Sequence, residues 1–267
     1  MAASTSKLSD NFLWMGTSPQ ETGFDWFDDA HWAATEQNIR NFARLAKAGG
    51  FKGIALDSEN YNQDFELWGY PWQVRKDQKT YREYQAQLRR RGAQFIQAIQ
   101  DEYPGAQIFS LGLASWLTLP IPRLDDPAQE AYMATDSGAL WFYFIHGMLD
   151  ALPSNVSLTD GDEYAYYFRR AGAFDDSRDF IRTTGRDAVI LDPANVATYD
   201  RQVKIGQAVY VDGLLNLANW DKTIGYYLAS DDERQRMLEH NVYHALRTAD
   251  EYVWVYSEQM NYWTGVK

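Results

Sequence analysis

Six times along this chain a short apolar run ends in polar or acidic residues and gives way to a stretch of helical periodicity. Phe12 to Thr17 is the first run. The Asp-rich segment Asp25 to Asp29 and a helix over Ala30 to Ala48 follow it, and Gly49-Gly50 stops that helix. Phe51 to Asn60 is the second, trailed by an amphipathic helix over Thr80 to Glu102 that Pro104-Gly105 closes. Gln107 to Ala114, Asn155 to Asp160, Gln207 to Asp212 and Tyr252 to Ser257 are the remaining strands. Helical sequence covers Gly138 to Leu152, Tyr164 to Thr183, Pro193 to Ile205 and Asp231 to Thr248. Strands alternating with helices of this length specify βαβ units and hence a parallel sheet. Several strands are nearly unbroken apolar runs, as a sheet covered on both faces requires. The Gly-x-Gly-x-x-Gly and Walker signatures of nucleotide-binding folds are absent. The expectation is therefore an α/β protein of the TIM-type (β/α)-barrel kind, with residues 1–267 as one catalytic domain and residues 1–10 outside its ordered part. A full barrel has eight strands and about six are recognisable here, so the barrel reads as shortened at its N-terminus. An open barrel edge would favour a homo-oligomer through strand pairing.

Composition restricts the partners. The formal net charge of −12 disfavours nucleic acid and anionic membranes, which select basic surfaces. The one basic cluster, Arg89 to Arg91, shares its helix with Glu83 and several Gln and reads as a solvated helix face. With no cysteine there is no disulfide framework, no thiolate metal site and no cysteine nucleophile. No window is long and apolar enough for a membrane span. The first ten residues lack the apolar stretch of a signal peptide. The location is extracellular or periplasmic if a signal lies upstream, and otherwise cytoplasmic. Aromatic residues reach 15% and many lie near acids, the mixture a carbohydrate cleft needs, since sugar C–H faces stack on rings while hydroxyls bond to carboxylates.

Catalytic groups of a barrel stand at the C-terminal ends of its strands. The run Gly53-Ile-Ala-Leu-Asp57 stops in Asp57-Ser58-Glu59, and side chains two apart on a strand share a face, so Asp57 and Glu59 should point together. Two adjacent carboxylates raise the pKa of one of them, which suits a proton donor at neutral pH. The alternative is that Asp57 caps a helix or bonds a neighbouring strand. Asp160 ends another strand and is balanced between function and structure. Asp162 and Glu163, after Gly161, fit either substrate binding or a helix N-terminus. Glu258 follows an aromatic, β-branched strand and is a candidate nucleophile or acid/base. Tyr210 and Asp212 repeat the pattern more weakly and read as binding or support. His240 and His244 have helix spacing for a metal pair but lack His-Glu-x-x-His, no Gly-x-Ser-x-Gly elbow exists, and Asp25 to Asp29 lacks calcium-loop spacing. Neither cofactor nor metal is expected. Paired carboxylates with aromatic neighbours point to glycosidic bond cleavage, which needs one acid to protonate the leaving oxygen and a second carboxylate as nucleophile or base.

The segments Gly50 to Tyr61, Asp160 to Tyr167, Gln207 to Asp212 and Glu251 to Trp263 resemble, in the same order and over nearly the whole chain, a group of bacterial barrel proteins labelled glycoside hydrolases. The resemblance implies a (β/α) barrel and glycoside hydrolysis, and it implies extra sequence before the first strand seen here, often with a secretion signal. In retaining barrel hydrolases the acid/base and nucleophile are glutamates on two different strands, which Glu59 and Glu258 match. Ser58 stands before Glu59 where Asn is usual. The expected activity is cleavage of a polysaccharide or oligosaccharide, a β-glucan or cellulose-like chain first. Glu59 is the acid/base, Asp57 its pKa-raising neighbour, Glu258 the nucleophile and Asp160 the reserve. Trp14, Tyr61, Trp68, Trp116 and Trp254 line the subsites. The alternatives are a non-catalytic carbohydrate-binding barrel and a metal-assisted lyase or isomerase acting on a sugar.

Overall fold

The structure, a computed structural model, describes residues 9–17, 23–61, 66–117, 127–189, 192–215, 217, 228, 230–260 and 264. Most of the N-terminal segment, residues 1–8, and the aromatic end of the last motif, residues 261–263, lie outside the described residues. In chain order the elements are β1 (Phe12–Gly16), α1 (Asp29–Ala48), β2 (Gly53–Asp57), α2 (Tyr81–Glu102), β3 (Gln107–Ser110), α3 (Pro127–Met133), α4 (Ala139–Ala151), β4 (Leu158–Asp160), α5 (Ala171–Arg182), α6 (Thr184–Val189), α7 (Pro193–Gln202), β5 (Val203–Ile205), β6 (Gln207–Tyr210), α8 (Val211–Leu214), α9 (Asp231–Thr248) and β7 (Val253–Tyr256). The fold is α/β. A five-stranded sheet runs β1-β2-β3-β4-β5, with β1, β2 and β3 parallel neighbours, and β6 pairs in parallel with β7. Among the described residues these pairings close no barrel. No described helix is long and apolar enough to cross a membrane.

The chain divides into two compact units, one comprising Met1–Leu111, Leu119–Leu158 and Arg186–Val203, the other Gly112–Thr118, Thr159–Gly185 and Lys204–Lys267. In the first, the helix limits follow local chemistry. Asp28 caps α1 by accepting the N–H groups of Ala30 and His31 at 2.9 and 3.0 Å, and Thr80 with Glu83 forms a capping box at the start of α2. Every residue of β2 is buried, which explains its unbroken apolar sequence. Helices α2 and α4 cross where each offers a glycine. A Cβ on Gly92 would lie 2.0 Å from the Phe144 carbonyl oxygen, and one on Gly147 1.8 Å from that of Arg89. In the second unit, Phe174 of α5, Val209 and Tyr210 of β6, Leu214 of α8 and Ala245 of α9 share a core. Ser230 and Glu233 form the capping box of α9.

Three expectations need correction. The helix expected over Pro193 to Ile205 ends at Gln202. Val203 to Ile205 instead form β5, a strand too short to display a period, and Gly206 alone separates it from β6. The strand expected over Gln207 to Asp212 stops at Tyr210, and Val211 and Asp212 instead open the short helix α8. The Arg89–Arg91 cluster is only partly a solvated face. Arg91 is fully buried, donating from Nε and Nη2 to the Trp26 carbonyl at 3.0 and 2.8 Å and from Nη2 to Asp29 at 2.7 Å.

Candidate functional site

At the C-terminal end of β2 the register pairs Leu56 with Met15 and Asp57 with Gly16. Alternation along the strands therefore puts Trp14, Gly16, Ala55 and Asp57 on one sheet face, with Met15 and Leu56 on the other. The strand ends at Asp57, and the chain turns so that the Glu59 N–H donates to Asp57 Oδ1 at 3.0 Å. Asp57 and Glu59 are thus brought together by an Asx-type turn rather than by strand alternation. The Tyr61 hydroxyl sits between them, 3.2 Å from Asp57 Oδ2 and in short contact with Glu59 Oε2. A phenol carries one proton, so Tyr61 can donate to only one carboxylate. Its contact with the other becomes a hydrogen bond when that carboxyl is itself protonated. Burial pushes the Asp57 carboxyl above its ordinary value and the neighbouring Glu59 charge adds to this, while the Glu59 N–H and the Tyr61 hydroxyl pull it back. Although most of the Tyr61 side chain is exposed, local shielding of its hydroxyl, together with the Glu59 and Asp57 carboxylates beside it, pushes the phenol up. Asp57 is buried, Glu59 half-buried and Tyr61 exposed, so the cluster grades from the interior to solvent. Trp14, on the Asp57 face, is 49% exposed.

Trp68 behaves differently from an exposed sugar platform. It is buried, its indole N–H donates to the Ser58 carbonyl at 2.8 Å, and its ring packs 4.8 Å from that of Trp141. Its part is to hold the segment that carries Glu59.

Three acids of the second unit, Asp160, Asp162 and Asp212, are buried and hydrogen-bonded within the fold. Asp160 is fully buried. Its Oδ1 accepts the Leu113 N–H at 3.1 Å, the Asp162 N–H at 3.3 Å and the Ser115 hydroxyl, and its Oδ2 accepts the Ser115 N–H at 2.9 Å. Burial raises its carboxyl and these donors lower it. The result is a latch on the helical turn Ala114–Trp116, in which Trp116 is half-buried. Asp162 and Glu163 stand at the N-terminus of the turn Glu163–Tyr167, where Asp162, in the left-handed region at φ 45°, makes no side-chain capping hydrogen bond. Its carboxylate instead accepts the Ser177 hydroxyl. Burial, with the Asp160 charge, pushes Asp162 up to about 7 against the pull of Ser177 and the nearby Gln207 carboxamide. Glu163 is half-buried. Between Asp160 and Asp162, the Gly161 carbonyl accepts the Trp254 indole N–H at 2.8 Å, which ties that ring down.

Asp212 is buried and binds the loop after β7, accepting the Glu258 and Gln259 N–H groups at 2.7 and 2.9 Å and the Ser257 hydroxyl. That loop presents an exposed Glu258, whose carboxylate, among the described residues, accepts the Tyr256 hydroxyl at 2.6 Å. Tyr210 is buried against Tyr166 and Tyr256. The structure therefore unites Asp57, Glu59 and Tyr61 in the first unit. In the second it unites Asp160 with Asp162 and Asp212 with Glu258. Glu59 and Glu258 belong to different units. The rings of His240 and His244 lie 4.5 Å apart, and among the described residues no group of three acidic or histidine side chains could hold a metal ion. Ser115 and Ser177, the donors to the buried acids, carry no signal in sequence. The bridging hydroxyl of Tyr61 had one in its position two residues after Glu59. No protein-family model, no curated protein and no solved structure matches the chain.

Proposed function

We propose that the chain is a glycoside hydrolase on a (β/α)-barrel plan, with Glu59 at the end of β2 as general acid/base. The observation that carries this reading is the Tyr61 hydroxyl set between the carboxylates of Asp57 and Glu59. Burial, with the neighbouring Glu59 charge, raises the Asp57 carboxyl so that it holds a proton more readily than an ordinary carboxylate, and the Tyr61 hydroxyl links it to Glu59. Glu59 is the solvent-facing acid of the pair, able to pass that proton to a glycosidic oxygen. Asp57 is the buried reserve, and the exposed Trp14 ring on the same sheet face is a stacking surface for a pyranose. Glycoside hydrolysis also requires a carboxylate as nucleophile or base. Glu258 is the choice on chemical grounds, because the fold leaves its oxygens largely unoccupied.

The test is reducing-sugar release from a panel of β-glucans, cellulose and other polysaccharides. Wild type should release sugar from at least one member. Glu59→Gln and Glu258→Gln should each lower turnover by about 10³-fold or more with unchanged circular dichroism. Near-native rates in either variant would remove that residue from the mechanism. Saturable sugar binding without any release would establish the non-catalytic barrel instead.

A further inference from the structure

On the opposite face of β1 and β2 from Asp57, the first unit encloses a cavity of about 560 Å³. Its floor includes Met15 and Leu56, a register pair whose side chains leave the sheet away from the carboxylates. Trp26, Trp32, Phe42, Phe95 and Phe144 supply its rings. His31, Thr35 and Asn38, spaced four and three apart on α1, share a helix face and form a polar rim that is exposed or half-buried. The volume falls in the range of small-molecule sites, and the site lies by the C-terminal ends of parallel strands, where α/β folds place ligands.

Two wall residues carry polar atoms that the fold leaves without a partner. Among the described residues, the Trp32 indole N–H, on a side chain only 4% exposed, and the buried Thr17 hydroxyl oxygen make no hydrogen bond. Buried polar groups are paired in the great majority of cases, and an orphan is costly. The same walls are braced rather than loose. Arg91 lies 4.9 Å from the centroid of the Trp32 ring and grips the Trp26 backbone carbonyl, which braces the backbone at Trp26 and packs one face of the Trp32 indole. A sugar would find too few polar partners among these rings.

We propose that this cavity binds a small, flat, mainly apolar molecule bearing a hydroxyl or carbonyl oxygen, which takes up the Trp32 indole N–H and the Thr17 hydroxyl once a small turn of these side chains brings the two sealed atoms to the cavity surface. The oxygen supplies an acceptor to the indole and, as a hydroxyl, a donor to Thr17. The ring system fills the aromatic walls. This site is independent of the hydrolase reading.

Isothermal titration calorimetry of the full chain with 2-naphthol and with naphthalene tests it. The expected result is saturable binding of 2-naphthol, about tenfold tighter than naphthalene, since only the former satisfies a buried orphan. Trp32→Phe and the near-isosteric Thr17→Val should each shrink that preference while keeping naphthalene affinity. Thr35→Trp, at the half-buried rim, should weaken both ligands. No saturable binding of either compound, equal affinities for the two, or a preference surviving both Trp32→Phe and Thr17→Val would overturn the proposal. Folding of each variant is checked by circular dichroism, and Thr17→Val keeps the test decisive if Trp32→Phe misfolds.

Discussion

Asp162→Asn should stabilise the protein at neutral pH and leave it nearly unchanged at pH 4. The site is well suited to this exchange, because Asn tolerates the left-handed backbone that Asp162 adopts at φ 45° and ψ 61°. The carboxamide also keeps an oxygen for the Ser177 hydroxyl. In the folded protein the Asp162 carboxyl titrates at about 7, in the unfolded chain near its ordinary 3.8. Between those values the folded state binds more protons than the unfolded state, so raising the pH lowers stability. Each pH unit in that window costs about 1.4 kcal/mol, on the order of 4 kcal/mol from end to end. Below pH 4 both states are protonated and the cost vanishes. Above pH 7 both are ionised and it is constant. The Asn variant has no such proton, and Asp160 remains in both proteins. Urea unfolding followed by tryptophan fluorescence at pH 4, 5, 6, 7 and 8 should therefore show the variant's advantage growing steadily to pH 7 and then levelling. Parallel stability curves for the two proteins would refute the placement of Asp162 as a buried, protonated acid.

The glycine pair at the α2–α4 crossing gives a second expectation. Gly147→Ala, whose methyl would meet the Arg89 carbonyl oxygen at 1.8 Å, should cost about 2–3 kcal/mol despite the helix-favouring change, read as a lower urea midpoint. Asp160→Ala leaves the buried Leu113 and Ser115 N–H groups without an acceptor and should cost about 3 kcal/mol or more. Unfolding midpoints within error of wild type would contradict the latch assigned to Asp160.

The strands and helices that position these groups were legible because each carries a local signature. Thr80 with Glu83 and Ser230 with Glu233 mark helix starts, Gly49-Gly50 marks a stop, and the buried β2 shows as an apolar run. β5 was illegible because Val203-Lys204-Ile205 is too short to separate a strand from the last turn of a helix. The acids posed a harder problem. An acid that ends a strand looks the same in sequence whether it faces a ligand or fastens a loop, because the deciding donors come from elsewhere in the chain. Asp160 is taken by groups at Leu113 and Ser115, and Asp212 by groups at Ser257, Glu258 and Gln259. Among the described residues Asp160 accepts four hydrogen bonds and Asp212 three, whereas Glu59 and Glu258 each meet a single tyrosine hydroxyl. A carboxylate has about four lone-pair sites to fill. The aspartates fill theirs with backbone N–H groups and serine hydroxyls, and among the described residues the two glutamates leave most of theirs open. Asp160 therefore fastens the turn at Ala114–Trp116 and Asp212 the loop that carries Glu258.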